Sequence, residues 1–197
     1  MKRIIPALLA LLLLCPLTAC GGEEDPEQQA LAMRTRYLSM TTCGGTASVT
    51  ADYGQRVYEY TLEISWQREE GLTVLVKEPE LLSGVIARVS TEGSQLEYDG
   101  AILETGPLDG EGLTPISAVP TLLADLQERY LAECAVTELD GVPALLLTCR
   151  DPEGTAGSGS ETMIWLDQTT GNLLQGELYQ DGYRVILCKF DSFTFDG

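Results

Sequence analysis

Val57-Tyr58-Glu59-Tyr60-Thr61-Leu62-Glu63-Ile64-Ser65-Trp66-Gln67 decides the fold class of this chain. Tyr58, Tyr60, Leu62, Ile64 and Trp66 alternate with Val57, Glu59, Thr61, Glu63 and Ser65. Side chains of a strand point to opposite faces in turn, so this period of two predicts a strand with one buried face. Residues 67–71 form a polar turn, after which Leu72, Val74 and Val76 repeat the alternation until Glu78-Pro79-Glu80 breaks it. Further short strands are predicted over residues 83–90, 95–98 and 101–104. Glu92-Gly93-Ser94 and Asp99-Gly100 separate them, and the second pair is a two-residue hairpin signal. On the N-terminal side the strand pattern begins at Gly44.

Beyond this block, residues 106–114 are rich in glycine, proline and acid and read as an exposed loop. Strands resume over about residues 134–139, 144–150, 162–167, 173–179 and 183–195, with 153–160 as a flexible hairpin tip. Two helices complete the pattern. Asp25-Pro26-Glu27-Gln28 is a helix start: an aspartate cap, a proline suited to the first turn and a glutamine at the third position. This helix is expected to run to about Met40 and to bury Ala30, Leu31, Met33, Tyr37, Leu38 and Met40. The second lies in residues 115–133, its regular part starting at Pro120 because Val119 is pushed out of the helical basin. Leu122, Leu123, Leu126, Tyr130 and Leu131 would share its apolar face. Helix, strands, helix, strands predicts an α+β domain. The expected form is one large curved antiparallel sheet, a half-open barrel, with the two helices packed on its concave side. A small closed barrel fits the same element order.

The first residues carry a different message. Lys2 and Arg3 precede an apolar run over residues 4–14, and Leu17-Thr18-Ala19-Cys20 follows. A secretory signal has these parts in this order, with small residues before the cut. The apolar run falls short of the roughly 20 residues a spanning helix needs. Leucine at −3, small residues at −2 and −1 and cysteine at +1 resemble the lipobox of bacterial lipoproteins. The resemblance implies diacylglycerol on the Cys20 sulfur and cleavage before it. Residues 1–19 are then the signal peptide, 20–28 the lipidated cysteine with an acidic tether, and 29–197 a single domain. The membrane is the first expected partner, reached through lipid on its extracytoplasmic face.

Removing Lys2 and Arg3 with the signal leaves 10 basic against 30 acidic residues, a net charge of −20. Such a surface repels phosphate backbones, so nucleic acid is excluded as a partner. The chain has no histidine, which removes Ser-His-Asp and Cys-His catalysis and the usual zinc sets. No metal or cofactor is expected, and no pair of carboxylates stands out as catalytic. Cys43, Cys134, Cys149 and Cys188 remain for the exported domain, without a C-x-x-C spacing. An even number in an oxidising compartment favours disulfides over buried free thiols. If Leu139 faces Ala144 across the 140–143 turn, Cys134 falls opposite Cys149 and Cys43–Cys188 is the second pair. A tight Asp140-Gly141 turn instead puts Cys134 opposite Leu147.

Three segments resemble the lipoprotein-localisation (LolA/LolB-like) family of periplasmic carriers and outer-membrane receptors. Lys77-Glu78-Pro79-Glu80-Leu81-Leu82-Ser83-Gly84 is similar to that family's strand, proline bend and next strand. Gly93-Ser94-Gln95-Leu96-Glu97-Tyr98-Asp99-Gly100 is similar to its following hairpin. The run from Trp165 to Leu174 resembles its strand-turn-strand. With the lipobox, Gly176-Glu177-Leu178-Tyr179-Gln180-Asp181-Gly182 and the Cys188 to Phe193 segment look most like the clostridial spore-germination lipoproteins. The resemblance implies an apolar groove holding acyl chains, lined here by Tyr58, Tyr60, Leu62, Ile64, Trp66, Leu122, Leu123 and Leu126. Arg68 and Arg88 lie near strands comparable to the one carrying the carriers' basic lining residue, and no local motif selects either.

Three functions remain open. The leading expectation is a non-catalytic, membrane-tethered protein binding a lipid or acylated ligand. An adaptor for a cell-envelope or spore-cortex enzyme is the close rival, with the same residues as plain core. An enzyme acting on polysaccharide through paired carboxylates is the third.

Overall fold

The backbone pairs into one sheet because the two halves of the chain meet at their ends. The computed structural model describes residues 25–90, 93–106 and 113–196. Its elements are α1 (Pro26–Ser39), β1 (Thr42–Asp52), β2 (Val57–Gln67), β3 (Gly71–Glu78), β4 (Ile86–Ser90), β5 (Gly93–Tyr98) and β6 (Ala101–Thr105). Then come α2 (Ala118–Glu128), β7 (Leu131–Leu139), β8 (Val142–Arg150), β9 (Ser160–Asp167), β10 (Leu173–Gln180) and β11 (Tyr183–Phe195). Strand order is β6-β5-β4-β3-β2-β1-β11-β10-β9-β8-β7, all neighbours antiparallel. Two meanders are therefore joined by β1 against β11. The sheet is α+β and open, with β6 and β7 as its edges, so the closed-barrel alternative falls.

Local chemistry accounts for the hairpins. Asp99-Gly100, Asp140-Gly141 and Asp181-Gly182 all have positive φ at both positions. That backbone matches the twist of adjoining antiparallel strands, and aspartate and glycine tolerate it. Tyr98 then pairs with Ala101, Leu139 with Val142 and Gln180 with Tyr183.

Because β6 and β7 are opposite edges, the chain between them must cross the sheet, and α2 lies on that crossing. It starts at Ala118, two residues before the expected Pro120, and places Pro120 within its first turn. Leu122 and Leu126 are fully buried and Leu123 nearly so, as expected, while Tyr130 is exposed and Leu131 already belongs to β7. Arg34 of α1 donates to the carbonyls of Gln127 and Arg129 at 3.0 and 2.7 Å, satisfying the last turn of α2. Leu122 rests directly on β10, where only glycine leaves room: a Cβ on Gly176 would stand 2.4 Å from Leu122 Cδ1. Gly176→Ala is expected to cost about 1–3 kcal/mol by overpacking. Thermal melting should record this as a fall of about 2–12 °C, and an unchanged Tm would mean that α2 can slide freely.

α1 takes in the last residues of the expected tether, capped by Asp25, whose carboxylate accepts from the Glu27 amide. Ala30, Tyr37 and Met40 are buried; Leu31 and Leu38, expected inside, are 59% and 55% exposed. Tyr37 explains the rotation. Its ring stacks on Phe195 at 4.3 Å and its hydroxyl donates to the Gly171 carbonyl at 2.7 Å. That turns the Leu31–Leu38 side outward. Arg68 donates to the Met40 carbonyl at the end of α1. Arg88 reaches Thr73 and Glu97 on the open face of the sheet. Neither arginine lines a groove.

Candidate functional site

The β2 pattern puts its apolar residues where expected, to different depths. Leu62 is 0% and Ile64 3% exposed, Tyr60 and Trp66 are half-buried, and Tyr58 at the strand start is exposed. Leu62 faces Ala47 and Val76 across its neighbours, and all three join Leu122 and Leu126 in one continuous core. The middle of the expected groove is thus occupied by the protein's own side chains. Beside it, among the described residues, lies a crevice of about 120 Å³ between Trp66, Leu72 and Val89 of the sheet and Pro120, Leu123 and Gln127 of α2. Ligand pockets commonly measure about 300–1,000 Å³.

A larger cleft, about 810 Å³, lies along another face of α2, that of Thr121, Asp125 and Arg129, between that helix and the strands β9 and β10. No sequence pattern singled it out, because its residues come from four separate segments. Its floor is polar. Arg129 Nη1 donates to Asp125 at 3.0 Å and to Thr162 Oγ1 at 3.3 Å, and Nη2 donates to the Ser160 carbonyl and hydroxyl at 2.6 Å each. The Thr162 hydroxyl in turn donates to Asp125. On the rim Glu161 pairs with Arg150 at 3.1 Å and accepts from the Gly157 amide at 2.8 Å. The Arg129 and Thr162 bonds tie the end of α2 to β9, and Glu161 ties β9 to β8. On β10, Tyr179 donates to Glu177 at 2.6 Å, and burial with this carboxylate pushes its hydroxyl up to about 12. An acyl chain finds polar groups here, and the charges of Asp125 and Glu161 are already matched by arginines.

The cysteines do not pair. Cys43, Cys134, Cys149 and Cys188 are free thiols. The tight Asp140-Gly141 turn sets Cys134 opposite Leu147, while Cys149 faces Leu131. Cys134 and Cys149 are then diagonal neighbours at about 7–8 Å, beyond the reach of a disulfide. Cys43 faces Trp66 and Phe195, and Cys188 faces Val49, six residues further along β1. That separation is about 20 Å at strand rise. Burial pushes the Cys43 thiol up to about 12 and Cys149 to about 11, and raises Cys188 further. Only Cys134 is half-exposed. A thiol reagent at pH 8 is expected to modify Cys134 first, at a rate slowed because burial, Glu27 and Asp25 raise its thiol too, and the other three only on unfolding, since the thiolate is the nucleophile. Peptide mapping that finds either disulfide overturns this.

Among the described residues no group of histidine, cysteine and carboxylates could hold a metal ion. No described helix is long and apolar enough to cross a membrane. Cys20 lies outside the described residues.

At the far end of the N-terminal meander the helix-covered face runs out. Ile64, Val74, Ala87, Leu96 and Leu103 form one cross-strand row from β2 to β6. Burial falls along it, from Val74 and Ala87 at 0% to Leu103 at 65% exposed. Ile102, pointing to the other face, is 63% exposed. The opposite edge is different: α1 packs on β7 and β8.

No protein-family model matches the chain, and no curated protein matches it. Solved structures do. A domain named for outer-membrane lipoprotein sorting, from Vibrio parahaemolyticus, superposes with a TM-score of 0.50 at 10% identity, covering 87% of this chain and 93% of that one. An uncharacterised conserved protein from Thermus thermophilus gives 0.51 at 12% identity, covering 88% and 89%. A chain of the complex between the CwlD amidase and the GerS lipoprotein from Clostridioides difficile gives 0.45 at 15% identity, covering 87% and 96%. At such identities the likeness is one of fold, and the fold is LolA-like.

Proposed function

We propose that this protein is a non-catalytic adaptor of the cell envelope, built on the LolA-like fold and held by lipid on Cys20 at the extracytoplasmic face of a membrane. The observation that carries the reading is the sealed middle of the sheet. Leu62, Ile64, Leu122 and Leu126 pack on one another where a carrier would keep space for acyl chains. The remaining apolar crevice, about 120 Å³, is below the usual size of a ligand site. The large cleft is polar: its ion pairs lie within the end of α2 and between β8 and β9, and hydrogen bonds from Arg129 and Thr162 hold α2 on β9. A net charge of −20 favours a partner with a basic surface.

The test is capture of the full lipoprotein from its own envelope, together with titration by an environment-sensitive fatty-acid probe. One stoichiometric protein partner and no saturable probe binding are expected. Saturable probe binding without a protein partner would restore the lipid-carrier reading.

A further inference from the structure

The row of apolar residues on the N-terminal meander ends on a strand that is open in three ways. Among the described residues β6 is a sheet edge and pairs only with β5. Its two central side chains, Ile102 and Leu103, project to opposite faces and are both mostly exposed. Among the described residues no helix packs on it: the principal contacts of α1 and α2 are with each other, β7, β8, β9 and β11. Edge strands are normally blunted by charge, proline, a bulge or a covering element, because their unpaired amides and carbonyls template another strand. β6 has one such guard, Glu104, beside two exposed aliphatic residues.

We propose that β6 is the docking edge of this protein, taking an extended basic segment of a partner protein as a twelfth, antiparallel strand. The proposal rests on the adaptor reading. Main-chain hydrogen bonds would supply affinity and alternate side chains specificity, as in other cases of strand addition. Register defines the chemistry. A residue opposite Leu103 extends the row Ile64–Val74–Ala87–Leu96–Leu103 and has to be apolar. A residue opposite Ile102 is apolar or aromatic on the other face. A residue opposite Glu104 is lysine or arginine, because opposite charges across a ladder stabilise and like charges repel. Charge also decides against a second copy of this chain. Two molecules at −20 repel, and Asp99 and Glu97 lie beside the same edge.

The experiment uses the full lipoprotein in detergent micelles and a synthetic probe peptide with lysine opposite Glu104, valine opposite Leu103 and tyrosine opposite Ile102. Hydrogen exchange of β6 is read with and without it, and with a control peptide carrying glutamate for lysine. The basic peptide is expected to slow the outward amides of β6 about tenfold or more, and the acidic one to leave them unchanged. The double variant Ile102→Lys, Leu103→Lys should abolish the protection at unchanged Tm, since both side chains are exposed. Protection of another segment, equal protection by both peptides, or a concentration-dependent dimer that the double variant dissolves would overturn the proposal. Envelope capture separates the two levels. A partner retained by the double variant sinks the edge and leaves the adaptor; wild-type protein that captures none sinks the adaptor itself.

Discussion

Leu62→Glu is expected to unfold the domain. Leu62 is fully buried between Ala47 and Val76 and belongs to the same core as Leu122 and Leu126. A carboxylate there has no arginine or lysine among the core residues to pair with. Leaving a buried charge unpaired costs several kcal/mol, on the order of 3–5 from broken buried pairs. Lost packing adds about 2–5 kcal/mol if the truncation of large core residues is a guide. Net stability of a domain is only about 5–15 kcal/mol, so the sum removes most or all of it. The measurement is thermal melting, with a fatty-acid probe added to wild type and variant. A cooperative melt within a few degrees of wild type, with probe binding lost, would mean that the position lines an open groove, and the adaptor reading would fail.

Cys20→Ala is expected to leave the protein without lipid. The Cys20 thiol is the only acceptor at the predicted cut, between Ala19 and Cys20. Metabolic labelling with a clickable palmitate analogue should mark the wild type and give no signal above background in the variant. The precursor should also persist, because cleavage of this type of signal waits for the lipid. Two acyl chains give stable anchoring where one does not. From Cys20 to Asp25 the chain spans at most about 17 Å, so lipid on Cys20 would hold the domain at the membrane surface, where it would meet partners at high local concentration. Equal label in the variant would end the lipoprotein reading and with it the membrane localisation proposed for the adaptor.

Much of the fold was legible because it is local. The alternation from Val57 to Gln67 depends only on the two-residue period of a strand, and it holds in β2. Asp99-Gly100 turns where its φ preferences require. Asp25-Pro26 starts α1. The apolar spacing of Leu122, Leu123 and Leu126 identifies the buried side of α2. The lipobox is local too, and its reading needs no tertiary structure.

What went wrong went wrong where partners are distant. The strand expected from Gly44 forms as β1, starting at Thr42, but its place at the centre of the sheet, bonded to both β2 and β11, was not readable from its own residues. Gly45 leaves no room for a side chain, since a Cβ there would stand 2.0 Å from the Ser192 carbonyl oxygen. The side of α1 was misjudged at Leu31 and Leu38 because the ring stack of Tyr37 on Phe195, 158 residues away, sets the helix rotation. The disulfide pairing failed by a two-residue register, decided by whether Asp140 and Gly141 alone make the turn.

By itself the sequence determined the strands, the hairpin turns and the helix starts, since each follows from residues within a few positions of one another, and composition gave the charge; the lipid anchor is proposed from an equally local motif. Only the tertiary structure decided that the sheet stays open, that Leu62 and Ile64 join the buried core, that the four described thiols remain apart and that β6 is an edge among the described residues. Those depend on which strands become neighbours and how closely α2 can settle on Gly176, and packing across the whole chain, rather than any local preference, sets both.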